Sequence, residues 1–140
     1  MRVAGCPYCD AAGGRVMWMD ARCRVVLIED APFAGLCRVV WNDHVKEFTD
    51  LGDADRAHVM DVVSAVERSL RVLLQPDKIN LAAFGTQVPH LHWHVIPRYA
   101  DDTHYPDAIW AAAKRSANGR PLPPDFVAAL SATLADTLGG

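Results

Sequence analysis

The sequence has no run of basic residues, and its net charge is -3, from 14 lysines and arginines against 17 acidic residues. Proteins that hold nucleic acid through bulk electrostatics carry a basic patch or stripe, so this balance argues against nucleic acid as a partner. A small anionic ligand in a local site is compatible with it. About half of the residues are hydrophobic (51%) and 22% are charged, which is the balance of a globular domain.

Long apolar segments are also missing from the sequence. No window approaches the roughly 20 apolar residues of a membrane span, and the first ten residues, MRVAGCPYCD, have no apolar stretch of secretory length. We therefore expect a cytoplasmic protein without a membrane partner. Cysteine is scarce, at four residues in 140. In that compartment, two cysteines three positions apart indicate metal or redox chemistry more often than a disulfide framework.

The hydrophobic pattern predicts a single α+β domain over residues 1–140, with an antiparallel five-stranded sheet, one long helix and C-terminal helices. Five segments are predicted as strands: RVMWM and CRVVLIE as a hairpin, then LCRVVW, residues 79–84 and residues 91–98. Apolar residues at spacings of three and four predict a helix over 53–75, which Pro76 ends. Pro106 and Pro124 each suit the first turn of a C-terminal helix.

Three of the six histidines alternate within PHLHWHVIPR, residues 89–98. Because alternate residues of a strand point to one face, His90, His92 and His94 share a face, while the apolar residues between them pack on the core. Neighbours on that face lie about 7 Å apart, which suits the lining of a ligand groove. Imidazole has a reference pKa of about 6.5, so each ring can act as nucleophile, acid or metal ligand near neutral pH.

The string HLHWHVI resembles the H-φ-H-φ-H-φ-φ pattern of the histidine triad (HIT) superfamily, nucleotide hydrolases and transferases that act on the α-phosphate. The resemblance covers about residues 6–98 and leaves about residues 99–140 as an extension outside the shared motif. It implies a phosphohydrolase that acts on a dinucleoside polyphosphate, a nucleoside phosphoramidate or an adenylylated metabolite. It also implies a homodimer that extends the sheet across two subunits. The uridylyltransferase branch has glutamine at the place of His94, so this histidine and the short chain favour hydrolysis.

The resemblance also implies roles for individual residues. His92 would attack the α-phosphorus and form a covalent nucleotidyl-imidazole intermediate. His94 would lie beside the phosphate and the leaving group, where an imidazolium stabilises negative charge or donates a proton. Substrate contacts are implied for five further residues: Asn80, Thr86 and Gln87 at the phosphate, and Asp30 or Glu29 at the ribose.

Two positions depart from the family pattern. Leu36 stands where many members have a histidine. The loop Gly85-Thr86-Gln87-Val88 exchanges the usual order of amide and hydroxyl side chains. Either Thr86 or Gln87 is therefore a candidate for the phosphate contact at this loop.

The string GCPYC is also the active-site string of glutaredoxins, where it follows a buried strand and opens a helix. Here MRVA is too short for a buried strand, and Gly13-Gly14 would end the helix within one turn. A C-x2-C pair is equally half of a tetrahedral zinc site. In zinc-bearing HIT proteins, the other ligands are the histidine that ends the central strand and the first histidine of the triad. The resemblance thus implies a structural Zn²⁺ held by Cys6, Cys9, His44 and His90.

Three other functions are compatible with these residues. The first is a metalloenzyme in which His90, His92 and His94 together hold a catalytic zinc ion, although equally spaced side chains on a straight strand do not converge easily on one ion. The second is a nucleotide-binding regulatory module that keeps the fold without turnover. The third is a nucleotidyltransferase, which shares the covalent step.

Overall fold

The computed structural model describes residues 1–117 and 119–140 and contains a five-stranded antiparallel sheet. Its strands are β1 (Arg15–Met19), β2 (Cys23–Leu27), β3 (Cys37–Trp41), β4 (Lys78–Ala82) and β5 (His92–Arg98). The order across the sheet is β1-β2-β3-β5-β4, so β5 lies between β3 and β4, and β4 forms an edge. The α+β architecture predicted from the sequence is confirmed.

The helices are α1 (Pro7–Asp10), α2 (Asp53–Leu74) and α3 (Phe126–Leu138), and Phe48–Asp50 forms a single 3-10 turn. The long helix α2 has the expected bounds. It ends at Gln75, which adopts the left-handed conformation (φ 51°) directly before Pro76, because a residue that precedes proline is disfavoured in the helical region. Within the described residues, no helix combines the length and hydropathy needed to cross a bilayer.

The prediction of a helix that begins at Pro106 is wrong, because this segment consists of turns. The carboxylate of Asp102 accepts hydrogen bonds from the backbone amides of His104 and Tyr105 at 3.0 and 2.8 Å. Further along, the Lys114 amide donates to a backbone carbonyl upstream at 2.7 Å. The segment therefore folds back as a loop, and only the helix after Pro124 forms.

The sheet has two faces with different coverings. Helices α2 and α3 pack on the face that carries Val25, Val39 and Val95, all completely buried. Full burial of an aliphatic side chain of this kind stabilises the fold by about 1.5–3 kcal/mol. On the opposite face, Val26 and Val40 pack against the N-terminal segment. Because the side chains of a strand alternate, the polar residues of β3 and β5 lie on this second face, which carries the candidate site.

Candidate functional site

Strand β5 places His92 and His94 on the second face, and both are buried, as is His90 just before the strand. The rings of His92 and His94 lie 4.9 Å apart between centroids, in an edge-to-face arrangement. On the neighbouring strand β3, Val40 lies opposite His92 and Arg38 lies opposite His94. His90 precedes β5 and turns towards the N-terminal segment instead, so the three histidines have different surroundings.

Four potential metal ligands meet where the N-terminal segment crosses the sheet: Cys6, Cys9, His44 and His90, whose ligand atoms all lie within 4.8 Å of one another. His90 Nδ1 is 3.3 Å from Cys6 Sγ and 3.6 Å from Cys9 Sγ, and Cys9 Sγ is 3.5 Å from His44 Nδ1. A tetrahedron with zinc bond lengths of about 2.0–2.3 Å has edges of about 3.3–3.8 Å. The donor types and their spacing fit a tetrahedral zinc site.

The surroundings of His90 suit a metal ligand. Its Nε2–H donates to the carbonyl of Trp41 at 2.6 Å, which leaves the lone pair on Nδ1, the atom that faces the cysteines. Burial lowers the pKa of His90 and so favours the neutral ring that metal binding requires. Helix α1 is a single turn, in which the amide of Asp10 donates to the carbonyl of Cys6, and the described residues 1–6 form no strand before it, unlike the glutaredoxin arrangement.

His92 has the arrangement expected of a nucleophile. Its Nδ1 lies 2.6 Å from the carbonyl oxygen of His90. Because a carbonyl can only accept, Nδ1 carries the proton and donates it, and Nε2 holds the lone pair. Burial lowers the pKa of His92, so the ring is neutral near pH 7. A neutral imidazole with a fixed orientation and a lone pair on the other nitrogen can form a covalent bond to an electrophile.

His94 is also neutral near pH 7. Burial, followed by the charges of His92 and Arg38, lowers the pKa of His94 from 6.5 to about 4. Its Nε2 lies 3.4 Å from the carbonyl of Phe84, and its buried Nδ1 has no hydrogen-bond partner among the described residues. His94 therefore offers hydrogen bonds to a ligand, whereas the positive charge next to it belongs to Arg38.

Arg38 and Tyr8 are linked beside the two histidines. The Nη1 of Arg38 donates to the hydroxyl of Tyr8 at 2.9 Å. The ring of Tyr8 lies 4.7 Å from that of His92 and 5.7 Å from that of His90. Tyr8 is one of the two residues between the cysteines of the N-terminal pair, so the potential metal cluster and the candidate nucleophile share a neighbour.

An aromatic pair covers His94 from the other side. Trp110 stacks on Phe84 with 4.6 Å between ring centroids, and its ring lies 4.9 Å from that of His94. Phe84 and Trp110 are 52% and 43% exposed, whereas His94 is 4% exposed. The pair therefore shields His94 from solvent, and Trp110 comes from the segment after the last strand.

Buried Arg98 holds the start of the segment that follows β5 and carries Trp110. Its Nε and Nη2 donate to the two carboxylate oxygens of Asp102 at 2.9 and 3.1 Å, and its Nη1 donates to Asn80 Oδ1 at 2.8 Å. Partial burial of Asp102 raises its pKa, but hydrogen bonds from Arg98 and from backbone amides outweigh this and lower it to about 2. Since the amide oxygen of Asn80 is engaged, its amide nitrogen is the group that can contact a phosphate.

The other predicted substrate-binding residues lie in two places. Thr86 and His92 line the same cavity of about 660 Å³, together with Gly85 and residues 46–49. Gln87 is exposed next to Thr86. Glu29 is paired with an arginine at 3.1 Å and lines a separate groove, and Asp30 is exposed beside it. The structure thus brings Thr86 to His92 and leaves Glu29 and Asp30 outside that cavity.

A second group of potential ligand atoms, in Asp20, Cys23 and His58, is engaged in other contacts. One oxygen of Asp20 accepts from the backbone amides of Arg22 and Cys23, both at 2.8 Å, and the other lies 2.7 Å from His58 Nε2. Burial raises the pKa of the Cys23 thiol to about 12, which disfavours the thiolate that a metal needs. These contacts fix the turn between β1 and β2 to helix α2.

Three residues at the site were not predicted from the sequence: Tyr8, Arg38 and Trp110. Arg38 had a usable signal, because it is a charged residue inside the otherwise apolar strand LCRVVW. Tyr8 lies inside the recognised C-x2-C pair, but its contact with His92 depends on how the N-terminal segment crosses the sheet. Nothing local marks Trp110, since the loop that carries it returns to the site only through tertiary contacts.

Comparisons with known proteins agree with one another. A family model described as HIT domain matches residues 12–101. A histidine triad protein from Bradyrhizobium japonicum is 27% identical, with a TM-score of 0.69 over 88% of this chain and 89% of that one. A histidine triad protein from Marinobacter aquaeolei VT8 is 27% identical, with a TM-score of 0.67 over 88% and 87% of the two chains.

A third solved structure shares the fold at lower identity. It is a Zn-bound histidine triad family protein from Mycobacterium smegmatis, 23% identical, with a TM-score of 0.65 over 94% of each chain. No curated protein sequence is significantly similar to this chain. The similarity therefore comes from the family model and from solved structures.

Proposed function

Since the chain belongs to the HIT domain family, we propose that it is a nucleotide phosphohydrolase that acts at the α-phosphate of a dinucleoside polyphosphate or a nucleoside phosphoramidate. Membership confirms the resemblance found in the sequence and supports a nucleotide-binding, hydrolase-type function at the level of the superfamily. One observation carries the finer proposal. His92 is a buried, neutral ring whose Nδ1–H is held by the His90 carbonyl, which leaves the lone pair on Nε2.

The proposed reaction has two steps at phosphorus. In the first, the Nε2 lone pair of His92 forms a P–N bond to the α-phosphorus, and the bond to the leaving group breaks with its electron pair on the leaving group. In the second, a water oxygen attacks the phosphorus and passes a proton to the neutral ring of His94, the P–N bond breaks, and its electron pair returns to Nε2. His94, with its ring 4.9 Å from that of His92, is placed to hydrogen-bond or exchange a proton with the leaving group and the water.

The substrate contacts follow from the cavity that contains His92. Thr86 lines this cavity and is the first candidate for a phosphate contact, with exposed Gln87 as the alternative. Asn80 lines a different groove, together with Trp110, and its amide nitrogen, whose partner oxygen is held by Arg98, is the proposed further donor for phosphate oxygens. Asp30 and Glu29 remain the proposed ribose contacts, which requires that the ribose extend away from the His92 cavity.

We also propose a structural zinc ion held by the four clustered residues, Cys6, Cys9, His44 and His90. The donor set, the 3.3–3.6 Å separations and the bond of His90 Nε2 to Trp41 support this site, and the similar protein from Mycobacterium smegmatis is Zn-bound. When bound, the ion would supply rigidity and take no part in the reaction. It would hold helix α1 and the loop of His44 against His90, two positions before His92.

The partner that we propose for the chain is a second copy of itself, joined along edge strand β4. Leu81 of this strand is 46% exposed. An edge strand with exposed apolar side chains is a site for pairing with another strand, and pairing with a second β4 would continue the sheet. Light scattering should show the mass of a dimer for the wild type and of a monomer for Leu81→Lys. A monomeric wild type would exclude the dimer.

Trapping the intermediate tests the proposed function. The wild type is mixed with a nucleoside phosphoramidate labelled at the α-phosphate, quenched in alkaline denaturant and mapped by peptide. A phosphorus bond to imidazole nitrogen survives alkali and breaks in mild acid, where the protonated ring is a good leaving group. The label should lie on the peptide that contains His92. His92→Ala should keep the fold and nucleotide binding and lose turnover by on the order of 10³-fold or more.

The same experiment separates the alternatives. Label on another residue, or near-normal turnover by His92→Ala, would exclude the mechanism. Tight nucleotide binding without label or turnover would identify a regulatory module. Transfer of the labelled nucleotide to an added phosphate or nucleotide, in preference to water, would identify a transferase.

A further inference from the structure

Three arginines point to the second face of the sheet, and among the described residues only one of them has a guanidinium nitrogen that makes no hydrogen bond. Arg24 donates to backbone carbonyls and to Asn42 through all three of its nitrogens. Arg98 likewise donates through all three of its nitrogens, to Asp102 and Asn80. Arg38 makes a single hydrogen bond, to the Tyr8 hydroxyl, and its buried Nε has no partner in the part of the chain that the structure describes.

The charge of Arg38 is equally uncompensated. It forms no salt bridge among the described residues, whereas six other arginines pair with carboxylates: Arg15, Arg22, Arg56, Arg71, Arg98 and Arg120. A half-buried guanidinium without an anion is costly, because burial removes water from a charge that nothing in the protein neutralises. Such a group is suited to an anionic ligand.

The position of Arg38 identifies the place that this ligand would occupy. Arg38 lies directly opposite His94 across β3 and β5, and side chains in that relationship lie about 5 Å apart at Cβ on the same face. Its hydrogen bond to Tyr8 extends the guanidinium towards the ring that contacts His92. Arg38 thus lies along one side of the two histidines proposed to handle the phosphate.

We propose that Arg38 is a catalytic residue that donates hydrogen bonds to a non-bridging oxygen of the α-phosphate attacked by His92. This inference rests on the proposed function, since the phosphate is that of its substrate. Guanidinium groups bind phosphate oxygens with strong, charge-assisted hydrogen bonds. Negative charge on these oxygens must be held while the P–N bond forms, and a fixed donor of positive charge supplies this without reorganisation. His94 is neutral near pH 7, so Arg38 takes the electrostatic role.

Binding of adenosine and of AMP to the zinc-loaded protein tests the contact, because the two ligands differ only in the phosphate. By calorimetry, Arg38→Gln should weaken AMP binding by about 10- to 100-fold and leave adenosine binding unchanged. Arg22→Gln removes the same charge from the turn between β1 and β2, where the side chain is 45% exposed, and should change the binding of neither ligand. Arg38→Lys keeps the charge, and its AMP affinity should lie between those of the wild type and Arg38→Gln.

Turnover supplies a readout that a structural role would not change. With the two diastereomers of an adenosine phosphorothioate substrate, sulfur replaces one non-bridging oxygen or the other. The wild type should prefer one diastereomer, and Arg38→Gln should lose this preference together with about 10²- to 10³-fold of kcat/KM. If Arg38→Gln does not fold, as judged by thermal melting, Arg38→Lys should still show a reduced preference.

The outcomes separate this proposal from the hydrolase proposal. A wild type that turns over substrate while Arg38→Gln matches it, or equal losses for AMP and adenosine, would overturn the role of Arg38 alone. AMP binding that depends on Arg38 in a protein without turnover would support the phosphate contact and reject the hydrolase. A wild type that binds neither ligand would reject both.

Discussion

The ring of Tyr8 lies 4.7 Å from the ring of His92, although Tyr8 belongs to the N-terminal segment and His92 to the last strand. Tyr8 is flanked by Cys6 and Cys9, so the side chain against the proposed nucleophile is held between two proposed zinc ligands. The proposed metal site and the proposed reaction site are therefore connected through Tyr8. A change at the cysteines should reach His92 through Tyr8 and through His90.

Removal of one thiol tests the metal site. Cys6→Ser should lower the zinc content from about one ion per chain to none and destabilise the fold, because binding energy at a structural site is folding energy. The zinc content is measured by mass spectrometry of metals on protein purified without chelator. Cys23→Ala, which removes a buried cysteine outside the cluster, should keep its zinc. A zinc-free wild type would show that the site is wrong and would leave the role of His92 open.

His94→Ala should slow substrates with basic leaving groups much more than those with acidic ones, because only a poor leaving group needs a proton or a hydrogen bond as it departs. The measurement is kcat for a series of adenosine phosphoramidates and phosphate esters with graded leaving-group pKa. If every substrate loses the same factor, His94 contacts the phosphate and does not assist the leaving group.

The ring of His94 should stay uncharged over the neutral range, since burial and neighbouring charges lower its pKa from 6.5 to about 4. NMR of histidine labelled with ¹⁵N gives the titration midpoint in the ligand-free protein. A ring with a lowered pKa binds its proton more weakly in the folded state than in the unfolded state. The folded state therefore loses stability relative to the unfolded state as the pH falls from about 6.5 towards 4, and this effect is absent above about pH 6.5. A midpoint above 6 would contradict the expectation.

Trp110→Ala should raise the titration midpoint of His94 towards 6.5, because burial is the largest cause of the lowered pKa and the Trp110 ring is part of the cover. The NMR titration used for the wild type measures this shift. Val72→Ala, an exposed apolar side chain on α2, is the control and should leave the midpoint unchanged. An unchanged midpoint in Trp110→Ala would show that the strands and Phe84 alone keep water from His94.

Asp102→Asn should destabilise the protein by about 3 kcal/mol, the usual cost of leaving a buried charge such as Arg98 without its partner. The free energy of unfolding is measured in urea. Because the pKa of Asp102 is lowered to about 2, the carboxylate contributes stability above about pH 4 and loses it as the pH falls through 2. The difference between wild type and variant should therefore shrink from pH 6 to pH 3. Asp101→Asn, at an exposed neighbour, is the control.

The elements with strong periodicity could be predicted from the sequence. Segments rich in β-branched and aromatic residues between turn signals located the five strands. Spacings of three and four located the long helix, because burial of one helix face dictates that pattern. The prediction of a helix after Pro106 failed, since a proline at a suitable helix start does not reveal that Asp102 will bind the amides of His104 and Tyr105. These contacts are local, but Asp102 is held in place for them by buried Arg98, and no helix-start signal in the sequence reveals that pairing.

Some features of the candidate site could likewise be predicted from the sequence, and others could not. His90, His92 and His94 could be assigned to one face from their spacing, and the four clustered ligands followed from the family resemblance. The pairing of Arg38 with His94 depends on the register between β3 and β5, and the contact of Tyr8 with His92 depends on a crossing that no local pattern encodes. Neither relationship could be obtained without the strand order.

Tyr8 and Trp110 both lie outside residues 12–101, the stretch that the family model matches, although the ring of Tyr8 contacts that of His92 and the ring of Trp110 contacts that of His94. The stretch shared with the family is thus shorter than the stretch that supplies the residues around His92 and His94. A protein trimmed to the matched stretch would keep the five strands and the alternating histidines, but it would lose two of the four clustered ligands and the walls around both rings. Grafting or truncation guided by the family boundary would therefore yield a sheet that carries the triad in an open, rearranged setting.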